Sequence, residues 1–349
     1  MKRIVVVSTG GTIASRWQGS GYAAEAVGDD ILAEAPTPQD VVVSEVVDLF
    51  TVNSARLTTA QQLILLRTVH AILADPEVDG VVVTHGTDTL EESAFLLDLY
   101  HRDPRPVVFT GAQRALDMPK SDAGSNLHDA LLTAANVAGL GVLVVFDGKI
   151  HAARGTVKTQ TVALDAFGNP SGAPLGRVGF GQVMITGRLP ERPEPLPLPA
   201  ADVTVPRVDV VAHHVDGDAL FLDTALAAGA EGIVLVGTGA GNATPEITES
   251  VRRAVDCGVL VAVSSRVAAG PVTALYTGGG AVDLVEAGAV LTGELRLGQS
   301  RIAVLAAVLS SADPGERVGA LRRLLGAGAP VRAELGTEVG PEVRTAVVV

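Results

Sequence analysis

Three threonines, one aspartate and one lysine are the residues of this chain best placed by type and spacing to do chemistry. Thr12 follows Gly10-Gly11, while Thr87, Asp88 and Thr89 close the polar run Thr84-His-Gly-Thr-Asp-Thr89. Lys158 is one of four lysines, with Lys2, Lys120 and Lys149. A threonine hydroxyl is a poor nucleophile at neutral pH and needs a neighbouring base. A lysine amine serves only where burial favours its neutral form; an adjacent carboxylate orients it by hydrogen bonding, although its charge alone favours the ammonium. Against a hydroxyl nucleophile assisted by an amine stands a plainer reading. In it the threonines are turn and capping residues and Lys158 is a surface lysine.

The elements around these residues decide between the two. Val81, Val82 and Val83, bounded by Gly80 and the polar run, read as a short strand buried on both faces, the kind found in parallel sheets. A helix follows, with Thr89 as N-cap, Glu91 and Glu92 in the first turn where the helix dipole favours negative charge, and an apolar face including Ala94 and Leu97. The strand at residues 4–7 runs into Ser8-Thr-Gly-Gly-Thr-Ile-Ala14, where paired glycines let the backbone turn sharply and approach a ligand. Residues 16–22 read as a mobile loop that covers the site, carrying Tyr22. Helix 28–35, strand 41–49, polar loop 53–56 and a helix from Thr58 or Thr59 to Ala74 come next. Strand 106–110 empties into the polar loop 111–117, and Asp122 or Ser121 caps a helix to Val137. Strand 141–146 returns through the Asp147-Gly148 turn along residues 150–156, just before Lys158. Ligands of open α/β sheets bind at the carboxyl ends of strands, where Thr12 and Thr87 both fall.

Six prolines between residues 190 and 206 exclude helix and central strand and mark a stiff linker. Beyond it, strands 209–213, 233–237 and 260–264 alternate with helices 219–228 and 245–256, then helices 299–310 and 315–325. The expected architecture is α/β: a larger N-terminal domain, residues 1–189, with a mainly parallel sheet flanked by helices, the linker 190–207, and a smaller α/β domain, residues 208–349. Whether residues 345–349 add an edge strand is left open.

Composition narrows the function. A hydrophobic fraction of 47% with 3% aromatic residues describes cores of Val, Leu, Ile and Ala in a chain of 349 residues. The net charge of -13 argues against nucleic acid or an anionic membrane as partner. The single cysteine, Cys257, excludes an intramolecular disulfide and a multi-thiolate metal site, and reads as a small buried side chain near a helix end. No apolar run approaches a signal-peptide core or a membrane span, so a cytoplasmic location is expected. Gly10-Gly11-Thr12 lacks the Gly-Lys-Ser/Thr ending of a P-loop, and Gly237-Thr-Gly-Ala-Gly-Asn242 has Asn where a dinucleotide site needs its last glycine. His213 and His214, read as neighbours on a strand, point to opposite faces and are poor joint metal ligands. No nucleophile elbow is present.

Together, Thr9-Gly-Gly-Thr-Ile-Ala14 and Thr84-His-Gly-Thr-Asp-Thr-Leu-Glu-Glu92 closely resemble the two signature motifs of the bacterial L-asparaginase/glutaminase family. The resemblance extends through Thr110-Gly-Ala-Gln-Arg114, Val157-Lys-Thr159, Gly239-Ala-Gly-Asn242 and Ser264-Ser-Arg-Val267, nearly the whole chain. It implies hydrolysis of L-asparagine to L-aspartate and ammonia, without metal or cofactor. By that resemblance Thr12 is the nucleophile with Tyr22 beside it, and Thr87 works with Lys158 and Asp88 in proton relay. Backbone N–H groups near Thr87 and Ala112 would stabilise the oxyanion. Ser54 and Asp88 match positions holding the substrate's α-carboxylate and α-amino group, and Asn242 matches an asparagine presented to a neighbouring subunit. A homotetramer, a dimer of dimers with active sites near subunit interfaces, is implied. Two departures weaken recognition of the amine: Ala55 replaces a common glutamine, and Tyr276-Thr277-Gly278 offers no carboxylate where many relatives have one. Rival readings are an amidase for D-asparagine, glutamine or a peptidyl- or tRNA-linked amide, and a non-catalytic asparagine or aspartate sensor.

Overall fold

The computed structural model describes residues 1–326; the tail at 345–349 lies outside the described residues. The N-terminal half runs β1 (Lys2–Gly10), β2 (Ser15–Trp17), β3 (Tyr22–Ala24), α1 (Gly28–Ala33), β4 (Val41–Val52), α2 (Thr59–Ile72), β5 (Gly80–Thr84) and α3 (Leu90–Tyr100). It continues through β6 (Val107–Thr110), α4 (Ala123–Asn136), β7 (Val142–Phe146), β8 (Lys149–Ala152), β9 (Val157–Lys158), β10 (Phe167–Gly168), β11 (Gly176–Gly179) and β12 (Gln182–Ile185). Eight of these strands form one sheet in the order β12-β11-β8-β7-β6-β5-β1-β4. From β4 to β7 neighbours are parallel, and β8, β11 and β12 extend the sheet as antiparallel strands.

The valine-rich strands are buried on both faces because helices cover both. Ile4, Val6, Val82, Val108 and Leu143 pack with Leu127 and Leu131 of α4, while Val5, Val7, Val81, Val83 and Val144 pack with α2 and α3. Their alternation along each strand follows the two-residue period of extended chain. Thr58 anchors α2 with a capping box, its side chain accepting from the Gln61 N–H while the Gln61 side chain accepts from Thr58 N.

The second half contains β13 (Val208–Ala212), α5 (Leu220–Ala227), β14 (Gly232–Gly237), α6 (Pro245–Asp256), β15 (Leu260–Ser265), α7 (Ala281–Glu286), β16 (Val290–Leu291), α8 (Leu297–Ser310) and α9 (Pro314–Leu325). Its four strands are parallel, in the order β13-β14-β15-β16. The mixed α/β fold, a large N-terminal sheet beside a smaller parallel one, is the architecture expected. α8 is apolar nearly all round, and a helix of that kind must be buried. Ile302 to Val308 accordingly join one core with Val81 and Phe109 of the first sheet, Phe95 of α3, and Val234 and Ala262 of the second sheet.

Several local expectations change. Residues 16–22 are no featureless loop: β2 and β3 pair as an antiparallel hairpin in which Trp17 and Tyr22 stand opposite each other, their rings 5.2 Å apart. The hairpin β11-β12, α7 and β16 have patterns too short or too polar to detect by periodicity. His213 and His214 lie beyond the end of β13, so strand alternation does not govern them. Cys257 ends α6 and is exposed. Residues 186–207 contain no helix or strand. The proline-rich part is pinned to the N-terminal half, Leu196 N donating to the Leu99 carbonyl, and Arg192 pairing with the buried Asp98 at 3.0 Å.

Candidate active site

Parallel strands deliver their C-terminal ends to one edge. Ser8 of β1 is in register with Thr84 of β5, and Thr84 with Thr110 of β6, so the three polar loops that follow emerge side by side. They touch main chain to main chain. Gly11 has φ +84°, and a Cβ there would lie 2.1 Å from Gly86 Cα. On Gly86 a Cβ would lie 2.5 Å from Ser54 Oγ, and on Gly111 it would lie 2.4 Å from the His85 carbonyl oxygen. Only glycine permits the first of these contacts, in both conformation and space. The contact brings together the chain segments bearing Thr12 and Thr87, each one residue beyond it.

Lys158 reaches this edge from β9, which pairs antiparallel with β10. Its Nζ is 2.8 Å from Thr87 Oγ1 and 3.0 Å from Asp88 Oδ1. The Lys158 side chain is 18% exposed and that of Asp88 52%, so the amine is largely shielded while the carboxylate still meets water. Thr87 in turn donates to Gln113 Oε1 at 3.2 Å, and Gln113 Nε2 donates to the carbonyls of Thr161 and Ala163 at 3.2 and 3.0 Å. Ser54 is buried, its Oγ accepting the Asp88 N–H at 3.2 Å. Ala112 is fully buried and follows Gly111, whose Cβ would lie 3.4 Å from Thr87 Cγ2.

Two residues that looked like helix caps serve elsewhere. Thr89 makes no side-chain cap to α3; its hydroxyl donates to the Ser54 carbonyl at 2.9 Å, tying the second motif to the loop at 53–56. Asp122 likewise caps nothing. Its carboxylate accepts the N–H groups of Gln113 and Arg114 at 3.0 and 2.9 Å and the Asn126 amide at 3.0 Å. It therefore holds the loop bearing Gln113.

Burial sets the electrostatics. His85 donates from Nδ1 to the Gly86 carbonyl at 2.8 Å, and complete burial pushes it down to about 4. It is neutral at physiological pH, and its one ring proton is committed to the Gly86 carbonyl, which shapes the loop. Glu91, in the first turn of α3, accepts the Lys158 N–H. Burial drives its carboxyl up from 4.5 to about 7; the Lys158 N–H bond opposes the shift and Glu92 adds to it.

An acid whose folded value is raised favours folding below its unfolded value and loses that advantage as pH rises through the folded one. For Glu91 the window is about 4.5 to 7. The stability of the native chain relative to Glu91→Gln should therefore fall across that window by roughly 3 kcal/mol, following 1.36 kcal/mol per unit. Denaturant titrations of both proteins across the window measure it, and parallel profiles would contradict it.

The structure thus gathers Ser54, Thr87, Asp88, Ala112 and Lys158 at one edge, with Thr12 beside them through the Gly11–Gly86 contact. Two candidates stand apart. Tyr22, 48% exposed, packs edge-on against Trp17 of its own hairpin. Asn242 lies in the loop after β14, where its Oδ1 accepts the Ala281 N–H at 3.3 Å and its main chain bridges to Thr238. Gln113 and the structural role of Asp122 were missed; the place of Gln113 just after the buried strand β6, at the same edge as Thr87, was the available signal for it. Among the described residues no group of three or more His, Cys, Asp or Glu side chains could hold a metal ion, and no helix is long and apolar enough to cross a membrane.

Fold and site together define a two-domain α/β enzyme of the amidohydrolase class. The chain belongs to the asparaginase family: the asparaginase N-terminal model matches residues 3–190 and the glutaminase/asparaginase C-terminal domain model residues 207–320. The L-asparaginase of Bacillus licheniformis is 36% identical over 319 residues, covering 90% of this chain and 97% of that protein. The glutaminase-asparaginase of Pseudomonas fluorescens biotype A is 29% identical over 280 residues, covering 77% of each. Among solved structures, a probable cytoplasmic L-asparaginase from Campylobacter jejuni matches with a TM-score of 0.81 at 27% identity, covering 92% of this chain and 99% of that one.

Proposed function

We propose that this protein hydrolyses L-asparagine to L-aspartate and ammonia through a threonine nucleophile. The observation that carries the reading is the Lys158 amine, 2.8 Å from the Thr87 hydroxyl and 3.0 Å from the Asp88 carboxylate at an edge where Thr12 also emerges. In it, Thr12 Oγ1 attacks the side-chain amide carbon, and its proton passes through the Thr87–Lys158 pair to the departing nitrogen. The carbon–nitrogen bond breaks, ammonia leaves, and water then cleaves the resulting ester to give aspartate and free Thr12. Backbone N–H groups at Thr87 and Ala112 stabilise the oxyanion, usually the largest contribution in acyl transfer. Asp88 attracts the substrate ammonium and Ser54 the α-carboxylate; fixing both ends aligns the amide for attack. Tyr22 closes over Thr12 when substrate binds.

One observation favours a second assignment within the same reaction. Lys158 hydrogen-bonds Thr87, whereas the Thr12 hydroxyl has no side-chain hydrogen bond among the described residues. In that second assignment Thr87 would attack and Thr12 assist, and the peptide that carries the acyl group decides between the two.

Selectivity follows from the amine end. With Ala55 and Thr277 where many relatives offer polar or acidic groups, Asp88 holds the α-ammonium alone within its subunit. The assembly proposed is a dimer of dimers in which Asn242 meets the neighbouring copy's site, with domains at residues 1–189 and 208–349. Ammonia release over L-asparagine, D-asparagine, L-glutamine and a peptide-linked asparagine tests the reading. L-asparagine should be the best substrate and L-glutamine a poor one. Tight aspartate binding with no turnover of any of the four would replace the enzyme with a sensor.

A further inference from the structure

The main chain that carries Lys158 is held from two sides. Glu91 of α3 accepts the Lys158 N–H. Gln299, wholly buried in the first turn of α8, donates to the carbonyls of Ala153 and Thr156 at 2.8 and 2.9 Å and accepts the Gly155 N–H at 2.8 Å. Those three bonds fix the turn that leads into β9. The two supports meet at the start of α8, where a Cβ on Gly298 would lie 2.9 Å from Glu91 Oε1 and 3.0 Å from Glu92 Cγ. One turn on, Arg301 pairs with Glu92 at 3.5 Å. Glu91 and Lys158 belong to the N-terminal half, Gly298 and Gln299 to the C-terminal half.

A desolvated carboxylate beside a second one is a costly acceptor for a single backbone N–H, since burial penalises its charge. Yet this one sits at the residue whose amine must meet Thr87 and Asp88 within hydrogen-bonding distance. A displacement of about 1 Å in such a group is enough to cost orders of magnitude in rate. Resting on the amide-hydrolysis reading above, we propose that Glu91 is a positioning residue for Lys158: its carboxylate, seated against the first turn of α8, holds the Lys158 main chain where the amine reaches Thr87 and Asp88. The packing of the two halves then sets the position of the proton carrier.

Three substitutions in the full chain test this. Glu91→Met fills the same space without a strong acceptor, Glu91→Ala removes the side chain, and Glu91→Gln keeps an oxygen for the Lys158 N–H. The Met and Ala variants should lower kcat for L-asparagine about tenfold or more with KM changed less than about threefold, since the substrate's charged ends are held elsewhere. The Gln variant should recover kcat to within about fivefold of the native chain.

With four lysines, the 13C-labelled lysine side chains give few resonances, and that of Lys158 is assigned by its loss in Lys158→Met. It should move in the Met and Ala variants, stay near its native position in the Gln variant, and leave the other three lysines unaffected. Native kcat and an unmoved resonance in Glu91→Met, or a Gln variant as impaired as the Met variant, would overturn the proposal. If the native chain releases no ammonia from any amide, the hydrolysis reading fails and the lysine resonance alone decides the positioning.

Discussion

Lys158→Met should lower kcat on asparagine by about a hundredfold or more, the scale on which loss of a proton-transfer group acts. Methionine keeps the length and apolar stem of lysine, which suits a side chain only 18% exposed, and removes the amine that contacts Thr87 and Asp88. The fold should therefore survive. Thermal unfolding separates the effects: an unchanged melting temperature with lost turnover assigns the loss to chemistry. A rate close to that of the native chain would take Lys158 out of the mechanism. Lys158→Arg is informative beside it, because a guanidinium keeps the charge near Asp88 but cannot give up its proton near neutral pH.

Thr12→Val should produce a loss of similar size, again about a hundredfold or more. The exchange replaces one hydroxyl by a methyl group in a branched side chain of the same shape. Thr12 opens the short 3-10 turn Thr12–Ala14, and Gly11, not Thr12, makes the close main-chain contact with Gly86. Since among the described residues the Thr12 hydroxyl supports no other residue by a side-chain hydrogen bond, stability should hardly change. Comparison with Thr87→Val divides the labour between the threonines. Mass spectrometry after rapid acid quench should find the acyl group on the peptide containing Thr12 in the native chain. Native-like turnover by Thr12→Val, or acylation of the Thr87 peptide, would move the nucleophile to Thr87.

Much of the framework was readable along the chain. Val81 to Val83 announce a doubly covered strand because three consecutive β-branched residues have no polar face to offer water. Gly10-Gly11 and the polar run after Thr84 mark strand ends where a ligand could be approached. The proline-rich stretch excludes regular structure, as proline removes the N–H donor and blocks the helix. What failed was reading side-chain partners from local position. Thr89 and Asp122 stand at helix beginnings and have the chemistry of caps, yet their bonds run to Ser54 and to the loop at 113–114; Glu91 does stand in the first turn of α3, but its bond to Lys158 was not foreseen. A cap competes with any better-placed acceptor or donor that folding brings near, and sequence separation gives no sign of that competitor.

The amino-acid sequence by itself determined that the chain is an α/β protein, which strands are buried, and that threonine, aspartate and lysine stand near strand ends. These properties depend on residue type and on periods of two and 3.6 residues, which are local. Only the tertiary structure decided that Lys158 meets a threonine 71 positions away, that Gln113 accepts a hydrogen bond from that threonine's hydroxyl, and that α8 of the second half braces the turn leading to the lysine. Those contacts follow from the strand order β7-β6-β5-β1 and from a helix packed between two sheets. Such arrangements are selected by burial summed over the whole molecule, and no window of the chain contains that sum.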